Sequence, residues 1–257
     1  MKRIALVAGA SGGIGREIVR ILLGLGFCVI AHGRSRERLL QQFAAEKDKD
    51  LSVVAGNLVS PGGRRSVVEQ IYAMHNTVDV LVNCAGGAGE HQSWWDTGEE
   101  KWEAVFQLNV MGTASLCASF SKGMIERRWG RIINIASVAA WHPLDVGPEY
   151  AAAKAAVRAL SVSLAKACGP YGVTVNSISP GLVLTETVKQ TLDRLSPHRL
   201  ISDAEYHQYA AEHVFRCLTG RLTEPKSIAE TVAFLLSDAA SNITAQDIVL
   251  DGGYLVI

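Results

Sequence analysis

The sequence predicts an α/β fold in which helices cover both faces of a doubly wound parallel sheet. Short apolar runs alternate with helical patterns along the chain of 257 residues, and this alternation is typical of parallel sheets. A glycine-rich turn separates the first apolar run from the first helical pattern. Because no repeat, low-complexity stretch or linker divides the chain, we expect a single domain over residues 1–257.

The first elements have the clearest local signals. Residues 4–8 form an apolar run, as expected of a buried parallel strand. A glycine-rich turn over residues 9–15 follows, and an amphipathic helix begins there. Such a turn lets the backbone approach a pyrophosphate at the helix N-terminus. Further strands are predicted at residues 27–31, 51–55, 78–82, 131–135, 173–178 and 248–250, and a further helix from Glu224-Pro225.

Tyr150 and Lys154 stand four residues apart in an alanine-rich run that predicts a helix. One helical turn separates them, so both side chains lie on one face. A phenol has an ordinary pKa of about 10, and a neighbouring ammonium favours the phenolate. The pair can therefore exchange a proton with a carbonyl or alcohol oxygen, although the same spacing occurs by chance on many helices.

The composition argues against several functional classes. The formal net charge of zero argues against a general nucleic-acid or anionic-membrane surface. No apolar run reaches the roughly 18 residues of a membrane span, and the first strand pattern follows Met1-Lys2-Arg3 directly, so no signal peptide is expected. The five cysteines are scattered, which favours reduced thiols in a cytoplasmic protein. We expect a small-molecule substrate, and neither a nucleic acid nor a membrane as partner.

Gly9, Gly13 and Gly15 have the spacing G-x-x-x-G-x-G rather than G-x-G-x-x-G. This spacing, together with Tyr150 and Lys154, resembles the short-chain dehydrogenase/reductase family over almost the whole chain. The resemblance implies a single Rossmann-type domain that binds a nicotinamide dinucleotide. Other matching motifs stand in the family's order, namely Asn83-Cys84-Ala85-Gly86, Asn109, Ser137, Pro180-Gly181 with Thr185, and Asp251-Gly252-Gly253.

The resemblance also implies which residues form the site. The catalytic residues are Asn109, Ser137, Tyr150 and Lys154. The cofactor-binding residues are Gly9, Ser11, Gly12, Gly13, Ile14, Gly15, Arg34, Asn57, Leu58, Asn83, Ala85, Gly86, Tyr150, Lys154, Pro180, Gly181, Val183 and Thr185. No metal site is expected, because neither the cysteines nor the histidines have the spacing of metal ligands.

The implied reaction is hydride transfer between C4 of the nicotinamide and a carbon that bears oxygen. Tyr150 would donate a proton to a carbonyl or accept one from an alcohol. Lys154 would lower the pKa of Tyr150 and hold the nicotinamide ribose. Ser137 would hydrogen-bond the substrate oxygen, and Asn109 would place a water that links Lys154 to solvent. Taken singly, Ser137 is a strand-end turn residue and Asn109 a kink or cap within a helix.

The end of the second predicted strand favours NADP (NADPH) over NAD. NAD-preferring enzymes usually place an acid there to bind the ribose 2′-hydroxyl, but here the strand ends in Gly33-Arg34-Ser35. Arg34 can hold a 2′-phosphate bidentately, and Arg36 and Arg38 add to the local field. Alternatively, these arginines are solvated charges at a helix start, which is an unfavourable place for cations.

Three positions depart from the family's pattern. Gly12 stands where many NADP-binding relatives have a basic residue. Asn57 replaces the usual Asp near the adenine, and an amide can still make that hydrogen bond. Ala8 replaces the usual Thr before the first glycine, so one hydroxyl contact within the turn is lost.

We expect the substrate to be a free ketone or secondary alcohol of small or medium size. Residues 122–131 resemble reductases of 3-oxoacyl chains on acyl carrier protein, so such a chain is the alternative. Those enzymes often carry an Arg just before the sixth strand, where this sequence has Tyr171. A non-redox isomerase or dehydratase and a nucleotide-binding regulator are alternatives of other classes. The intact set of Ser137, Tyr150 and Lys154 argues against a regulator.

The segment of about residues 184–218 interrupts the strand–helix alternation. Because it is polar and aromatic and follows Pro180-Gly181, we expect a mobile lid that selects the substrate. The alternative is a helical pair fixed against a neighbouring subunit. Pocket walls are expected at Trp94 and Trp95 and in the loop 138–149, although the two tryptophans also suit core or subunit contacts. The resemblance implies a homotetramer, with a dimer as the alternative.

Overall fold

A parallel sheet forms the centre of the computed structural model, which describes residues 2–46, 50–87, 89 and 91–257. Within these residues the sheet has seven strands, in the spatial order β3-β2-β1-β4-β5-β6-β7, and every neighbouring pair is parallel. The strands are β1 (Ile4–Ala8), β2 (Cys28–Gly33), β3 (Leu51–Ala55), β4 (Val80–Asn83), β5 (Gly130–Ile135), β6 (Val173–Pro180) and β7 (Asp247–Leu250). The predicted doubly wound α/β class is confirmed.

Helices cover both faces of this sheet. They are α1 (Gly13–Gly24), α2 (Arg36–Gln42), α3 (Pro61–Met74), α4 (Glu99–Phe106), α5 (Gly112–Glu126), α6 (Pro148–Cys168), α7 (Glu186–Leu195), α8 (Asp203–His213) and α9 (Pro225–Leu236). One buried apolar cluster includes side chains of α1 and α9, and a second includes side chains of α3, α5 and α6. None of the helices among the described residues is long and apolar enough to cross a bilayer.

The strand β1 shows why its sequence is apolar at every position. Successive side chains of a strand point to opposite faces of the sheet. Accordingly Ala5 and Val7 belong to the first cluster, whereas Leu6 and Ala8 belong to the second. A strand buried on both faces has no polar face, so the sequence is a continuous apolar run rather than an alternating one.

The order of the strands reverses between β1 and β4, and this reversal places the site. The chain runs outward from β1 to β3 and then returns to β4 on the other side of β1. Ligands of doubly wound sheets bind beyond the carboxyl ends of the strands at such a point. The turns after β1 and β4 meet here: a Cβ on Gly9 would lie 2.5 Å from the backbone nitrogen of Ala85. Gly9 also has φ +86°, which favours glycine.

The strand ends differ from the predicted ones where pairing with neighbours decides them. β2 continues to Gly33, because Gly33 pairs with Ala55 of β3. Similarly β6 continues to Pro180, which pairs with Leu250 of β7. Both extensions lie in the ladder between strands that are distant in sequence, so local apolar patterns do not reveal them.

The segment of residues 184–218 folds into the helices α7 and α8, which are followed by a loop. Its buried residues Leu184, Leu192 and Ala210 form a small apolar cluster with Leu222, and partly buried hydrophobic residues that include Val188 and Tyr206 pack against it. The polar composition of the segment predicts a surface rather than a core, and in this respect the prediction was incomplete. The apolar side chains of this cluster allow the two short helices to pack as a unit.

Candidate functional site

A cleft of about 550 Å³ opens at the carboxyl ends of the strands around the reversal between β1 and β4. Eight of the predicted cofactor residues line it: Gly9, Ser11, Gly12, Arg34, Asn57, Leu58, Ala85 and Gly86. Other residues that line the cleft are not among the predicted ones, including His32, Val59, Cys84, Leu108 and Thr187. Of these, Cys84 lies within a predicted motif, and Val59 directly follows two predicted residues.

The glycine-rich turn forms one wall of the cleft. The backbone carbonyl of His32 accepts hydrogen bonds from the backbone nitrogens of Gly9 (3.0 Å) and Ala10 (2.8 Å). No side chain caps the N-terminus of α1, so this helix start offers N–H groups to an anion. Gly15 brings the helix onto the turn, because a Cβ there would lie 2.3 Å from the carbonyl oxygen of Gly9. The turn therefore suits the pyrophosphate of a dinucleotide.

Two arginines line the cleft at the N-terminal end of α2. Arg34 and Arg38 line the cleft, and no carboxylate among the described residues forms an ion pair with either of them. Arg36, in contrast, donates from Nη1 to the carbonyl oxygen of Val53 at 3.0 Å. The guanidinium of Arg36 is thus bound to β3, and Arg36 is not among the residues that line the cleft.

Lys154 is buried at the carboxyl end of β5. Its Nζ donates to the backbone carbonyl of Ile135 at 2.8 Å and lies 5.6 Å from the centre of the Tyr150 ring. Burial disfavours the ammonium and lowers the pKa of Lys154 to about 8. Both side chains project from α6 toward the same end of the sheet, as their spacing predicts.

The pKa of Tyr150 is raised, not lowered as predicted. Burial of the phenol is the main cause, because it disfavours the phenolate. A hydrogen bond with Ser137 acts in the opposite direction and lowers the pKa. Lys154 does not offset the burial, since its ammonium is directed to Ile135 and lies beside the ring. Tyr150 in the free chain is thus a protonated acid, hydrogen-bonded to the predicted catalytic serine.

Asn109 lies in a π-helical turn, Gln107–Met111, between α4 and α5. Its Nδ2 donates to the carbonyl oxygens of Gly87 (3.0 Å) and Val105 (2.9 Å), and its Oδ1 accepts from the Gly87 nitrogen at 3.2 Å. Its amide thus holds the segment after β4 in place. Gly86 permits this approach, because a Cβ there would lie 2.6 Å from Asn109 Oδ1 and 3.1 Å from Lys154 Nζ. Asn109, which the sequence predicts either as a kink within a helix or as a catalytic residue, therefore lies at a helix interruption that is also close to Lys154.

Asn83 is buried at the end of β4 and does not line the cleft. Its Nδ2 donates to Asn134 Oδ1 at 2.8 Å, and Asn134 Nδ2 donates to Ser161 Oγ at 2.8 Å. These bonds join β4, β5 and α6. The structure therefore gives Asn83 a structural role beneath the site.

The remaining predicted residues lie near the cleft on the side of α1 and β6. Gly13 and Ile14 begin α1, Pro180 ends β6, and Gly181 and Val183 come shortly after that strand. Thr185 caps α7 through Oγ1, which accepts from the Val188 nitrogen at 3.3 Å. A Cβ on Gly13 would lie 2.9 Å from Cγ2 of Thr185. The start of α7 thus lies against the start of α1.

The predicted pocket walls have mixed outcomes. Trp94 and Trp95 are 57% and 90% exposed, so the core alternative is wrong. Trp141 Nε1 donates to Asp247 Oδ2 at 2.7 Å, and the Arg158 guanidinium stacks on its ring at 3.4 Å. This indole is therefore committed to the edge formed by α6 and β7.

Several aromatic contacts near the site join segments that the sequence predicts separately, namely the pocket-wall loop 138–149, the lid segment 184–218 and the C-terminal end of the chain. The ring of His91 is edge-on to that of Tyr150, with 6.1 Å between ring centres. Phe215 stacks on Tyr254 at 4.2 Å, and Tyr254 meets His142 edge-on at 5.6 Å. Phe215 also packs on Gly181, where a Cβ would lie 2.8 Å from its ring. No local sequence signal predicts these contacts, since they join distant segments.

The chain is similar to known proteins over most of its length. A family model described as short chain dehydrogenase matches residues 3–195. The uncharacterised oxidoreductase YvaG of Bacillus subtilis is 32% identical over 253 residues, which cover 98% of this chain and 95% of that protein. The 3-oxoacyl-[acyl-carrier-protein] reductase of Escherichia coli is 32% identical over 257 residues, which cover 99% of this chain and 98% of that protein.

A solved structure is similar over the full length of the chain. It is L-sorbose reductase from Gluconobacter frateurii, complexed with NADPH and L-sorbose, with 29% sequence identity and a TM-score of 0.91. The similarity covers 100% of this chain and 97% of that one.

The buried ammonium of Lys154 predicts a specific dependence of stability on pH. Its pKa falls from 10.5 to about 8 on folding, so between these values the unfolded chain binds a proton that the folded chain does not. Stability from this group therefore rises with pH across that window. As the pH rises through this window, the free energy of unfolding of wild type minus that of Lys154→Met should increase by up to about 3 kcal/mol. Urea unfolding at several pH values measures this difference.

The exposed Lys226→Met is the control for replacing a lysine by methionine at the surface, and the rise with pH seen relative to Lys154→Met should exceed any change seen relative to this variant. A flat difference for Lys154→Met would show that folding does not perturb the Lys154 ammonium.

Proposed function

Since the chain belongs to the short-chain dehydrogenase/reductase family, we propose that it interconverts a ketone and a secondary alcohol on a small or medium-sized organic substrate, with NADP as cofactor. The predicted enzyme class is confirmed: the chain is an oxidoreductase that acts on CH–OH or carbonyl groups. NADP preference and substrate class are the parts that we propose.

One observation carries the proposed reaction. The Nζ of the buried Lys154 lies 5.6 Å from the centre of the Tyr150 ring, and Ser137 acts on the Tyr150 hydroxyl closely enough to lower its pKa. This acid–base group lies beside a cleft whose glycine turn fits a pyrophosphate. A protein that only binds a nucleotide has no use for a phenol next to a buried ammonium, so a regulatory function is disfavoured.

Tyr150, Lys154 and Ser137 have different roles in the reduction of a carbonyl group. When bound, the reduced nicotinamide supplies a hydride to the carbonyl carbon. Tyr150 gives its hydroxyl proton to the carbonyl oxygen, so that C=O becomes CH–OH and a phenolate is left. The ammonium of Lys154 favours that phenolate, and Ser137 hydrogen-bonds the oxygen as negative charge develops on it. In the direction of oxidation the same proton returns to Tyr150.

The cofactor preference follows from the wall at α2. Arg34 and Arg38 face the cleft without carboxylate partners among the described residues, and no acid ends β2. Two unpaired guanidinium groups favour a 2′-phosphate, because charge-assisted hydrogen bonds to phosphate are strong. NAD, which lacks that phosphate, is the less favoured cofactor. The solved relative that binds NADPH supports this assignment.

A free carbonyl compound is the proposed substrate, and a 3-oxoacyl chain on acyl carrier protein is the alternative. The similarity to a carrier-protein reductase favours the alternative, whereas the similarity to a sugar reductase favours a free substrate. Tyr171, before β6, offers no cation to an acidic carrier. Turnover with a panel of free ketones and with a 3-oxoacyl thioester distinguishes the two.

We also infer that residues 184–218, which include α7 and α8, act as a lid over the cleft. The start of α7 lies against α1, and Thr187 lines the cleft, so movement of this segment would open or close the cofactor site. Their shared apolar cluster favours movement of both helices as one unit. A cytoplasmic homotetramer stays a prediction from the family resemblance.

Replacing Tyr150 by Phe tests the acid directly. Only the hydroxyl is removed, so the fold and NADPH binding should be retained while kcat falls about 10²–10⁴-fold. Steady-state rates and the NADPH dissociation constant measure the two effects. Tyr171→Phe, which removes an exposed hydroxyl, is the control and should keep the wild-type rate. A Tyr150→Phe enzyme with near wild-type kcat would refute the assignment.

Replacing Arg34 by Asp tests the cofactor preference. The change removes a phosphate partner and adds repulsion, so NADPH binding should weaken roughly 10- to 150-fold more than NADH binding. Fluorescence titration of both cofactors measures this. Arg36→Asp is a matched control, because it makes the same charge change on a side chain bound to Val53. Equal weakening of NADPH and NADH in Arg34→Asp would mean that Arg34 has no role in selectivity.

Hydrogen exchange tests the lid. Amides of α7 and α8 should exchange rapidly in the free chain and gain protection with NADPH plus substrate, because closure removes local opening. The core helix α9 serves as the internal reference. High protection in the free chain that ligand leaves unchanged would instead favour a helical pair fixed against a neighbouring subunit.

A further inference from the structure

Arg64 is an arginine of α3 that folding buries almost completely, with 6% of its surface exposed. Its Nη1 lies within hydrogen-bond distance of three acceptors: the carbonyl oxygens of Leu58 (2.9 Å) and Val59 (2.9 Å), and Oε1 of Gln107 (3.1 Å). A terminal guanidinium nitrogen such as Nη1 carries two hydrogens, so at least one hydrogen is shared between two of the three acceptors. A single nitrogen atom therefore joins three chain positions.

The three acceptors belong to two different parts of the site. Leu58 and Val59 line the cofactor cleft, in the loop that follows β3. Gln107 is the first residue of the π-helical turn that contains Asn109. The loop and this part of the chain also touch directly, since a Cβ on Gly112 would lie 3.5 Å from Cβ of Leu58. Arg64 thus spans the gap between the cofactor loop and the catalytic turn.

The charge of Arg64 argues that this link is more than space filling. No carboxylate among the described residues lies within ion-pair distance of it. Burying a cation without a counter-ion costs free energy, and here three neutral oxygens are its partners. An apolar side chain would fill the same space without that cost. What the guanidinium adds is a fixed distance between the two segments.

From the π turn the contacts continue to the reacting groups. Asn109 holds both the nitrogen and the carbonyl oxygen of Gly87, and Gly86 lies against both Asn109 and Lys154. A shift of Gln107 therefore moves the turn that packs beside the ammonium. The chain of contacts runs from the cofactor loop through Arg64 and Gln107 to the surroundings of Lys154.

We propose that Arg64 is a positioning residue that couples the cofactor loop to the catalytic turn, and this role rests on the proposed oxidoreductase function. When the cofactor orders Leu58 and Val59, Arg64 and Gln107 pass that order to the turn of Asn109. Arg64 touches neither the cofactor nor the substrate in this role. It acts through the two segments that it joins.

A double-mutant cycle on Arg64 and Gln107 tests the coupling. Arg64→Met should weaken NADPH binding and lower kcat about tenfold, because both segments lose a hydrogen bond to a charged group. Gln107→Leu should lower kcat to a similar extent but leave NADPH binding near wild type, since Arg64 still holds Leu58 and Val59. The double variant should have the kcat of Arg64→Met alone. Arg65→Met, on the exposed neighbour in α3, is the matched control.

If the fold-decrease in kcat of the double variant equals the product of the two single decreases, Arg64 and Gln107 act independently and the coupling is refuted. A lower melting temperature in Arg64→Met with unchanged kcat would likewise overturn it, because Arg64 would then be only structural. Arg64→Lys should recover part of the kcat, since one ammonium can still reach some of the three acceptors.

Hydrogen exchange of the free protein gives a readout that does not depend on turnover. In Arg64→Met, amides of residues 107–113 should exchange faster than in wild type and in Arg65→Met. Unchanged exchange there would refute the link. If wild type turns over no carbonyl or alcohol, the proposed function fails, while the exchange experiment still decides whether Arg64 holds the turn.

Discussion

The burial of one ammonium group constrains how this site is built. Lys154 Nζ is bound to a backbone carbonyl, that of Ile135, rather than to a carboxylate. A carboxylate partner would stabilise the ammonium and raise its pKa, but it would also compete with the Tyr150 phenolate for the positive charge. Because its hydrogen-bond partner among the described residues is neutral, burial of the charge costs free energy of folding, and the pKa of Lys154 is lowered to about 8. In the reaction that we propose, the same charge favours the Tyr150 phenolate.

Close packing around that ammonium dictates the unusual backbone nearby. Gly86 has no Cβ because Asn109 Oδ1 and Lys154 Nζ occupy the space. Asn109 reaches back to Gly87 from a π-helical turn, whose extra residue widens the helix locally. Such turns are frequent at functional sites, and here the interruption places an amide where a regular helix has none. The glycines after β4 and the π-helical turn therefore depend on each other, because each occupies the space that the other leaves.

How far the sequence predicts this site depends on how local each determinant is. The strands were found because apolar runs are contiguous, and the glycine turn because its spacing is contiguous. The raised pKa of Tyr150 was not predicted, because the sequence shows the neighbouring Lys154 but not the burial that outweighs it. In the same way, the orientation of Arg36 toward Val53 depends on a strand that is distant in sequence. Chemical type follows from short motifs, whereas direction and environment follow from tertiary contacts.

The substrate side of the site shows the same limit most clearly. Its aromatic contacts join Phe215, Tyr254 and His142, which lie in three separate segments. Trp141, placed in a predicted pocket wall, is instead held by Asp247, more than a hundred residues away. Relatives at 29–32% identity include a reductase of 3-oxoacyl chains and a reductase of L-sorbose. These substrates differ widely although both proteins match this chain almost end to end. Substrate selectivity therefore depends on side chains outside the shared motifs, so the motifs that identify the reaction do not identify the substrate.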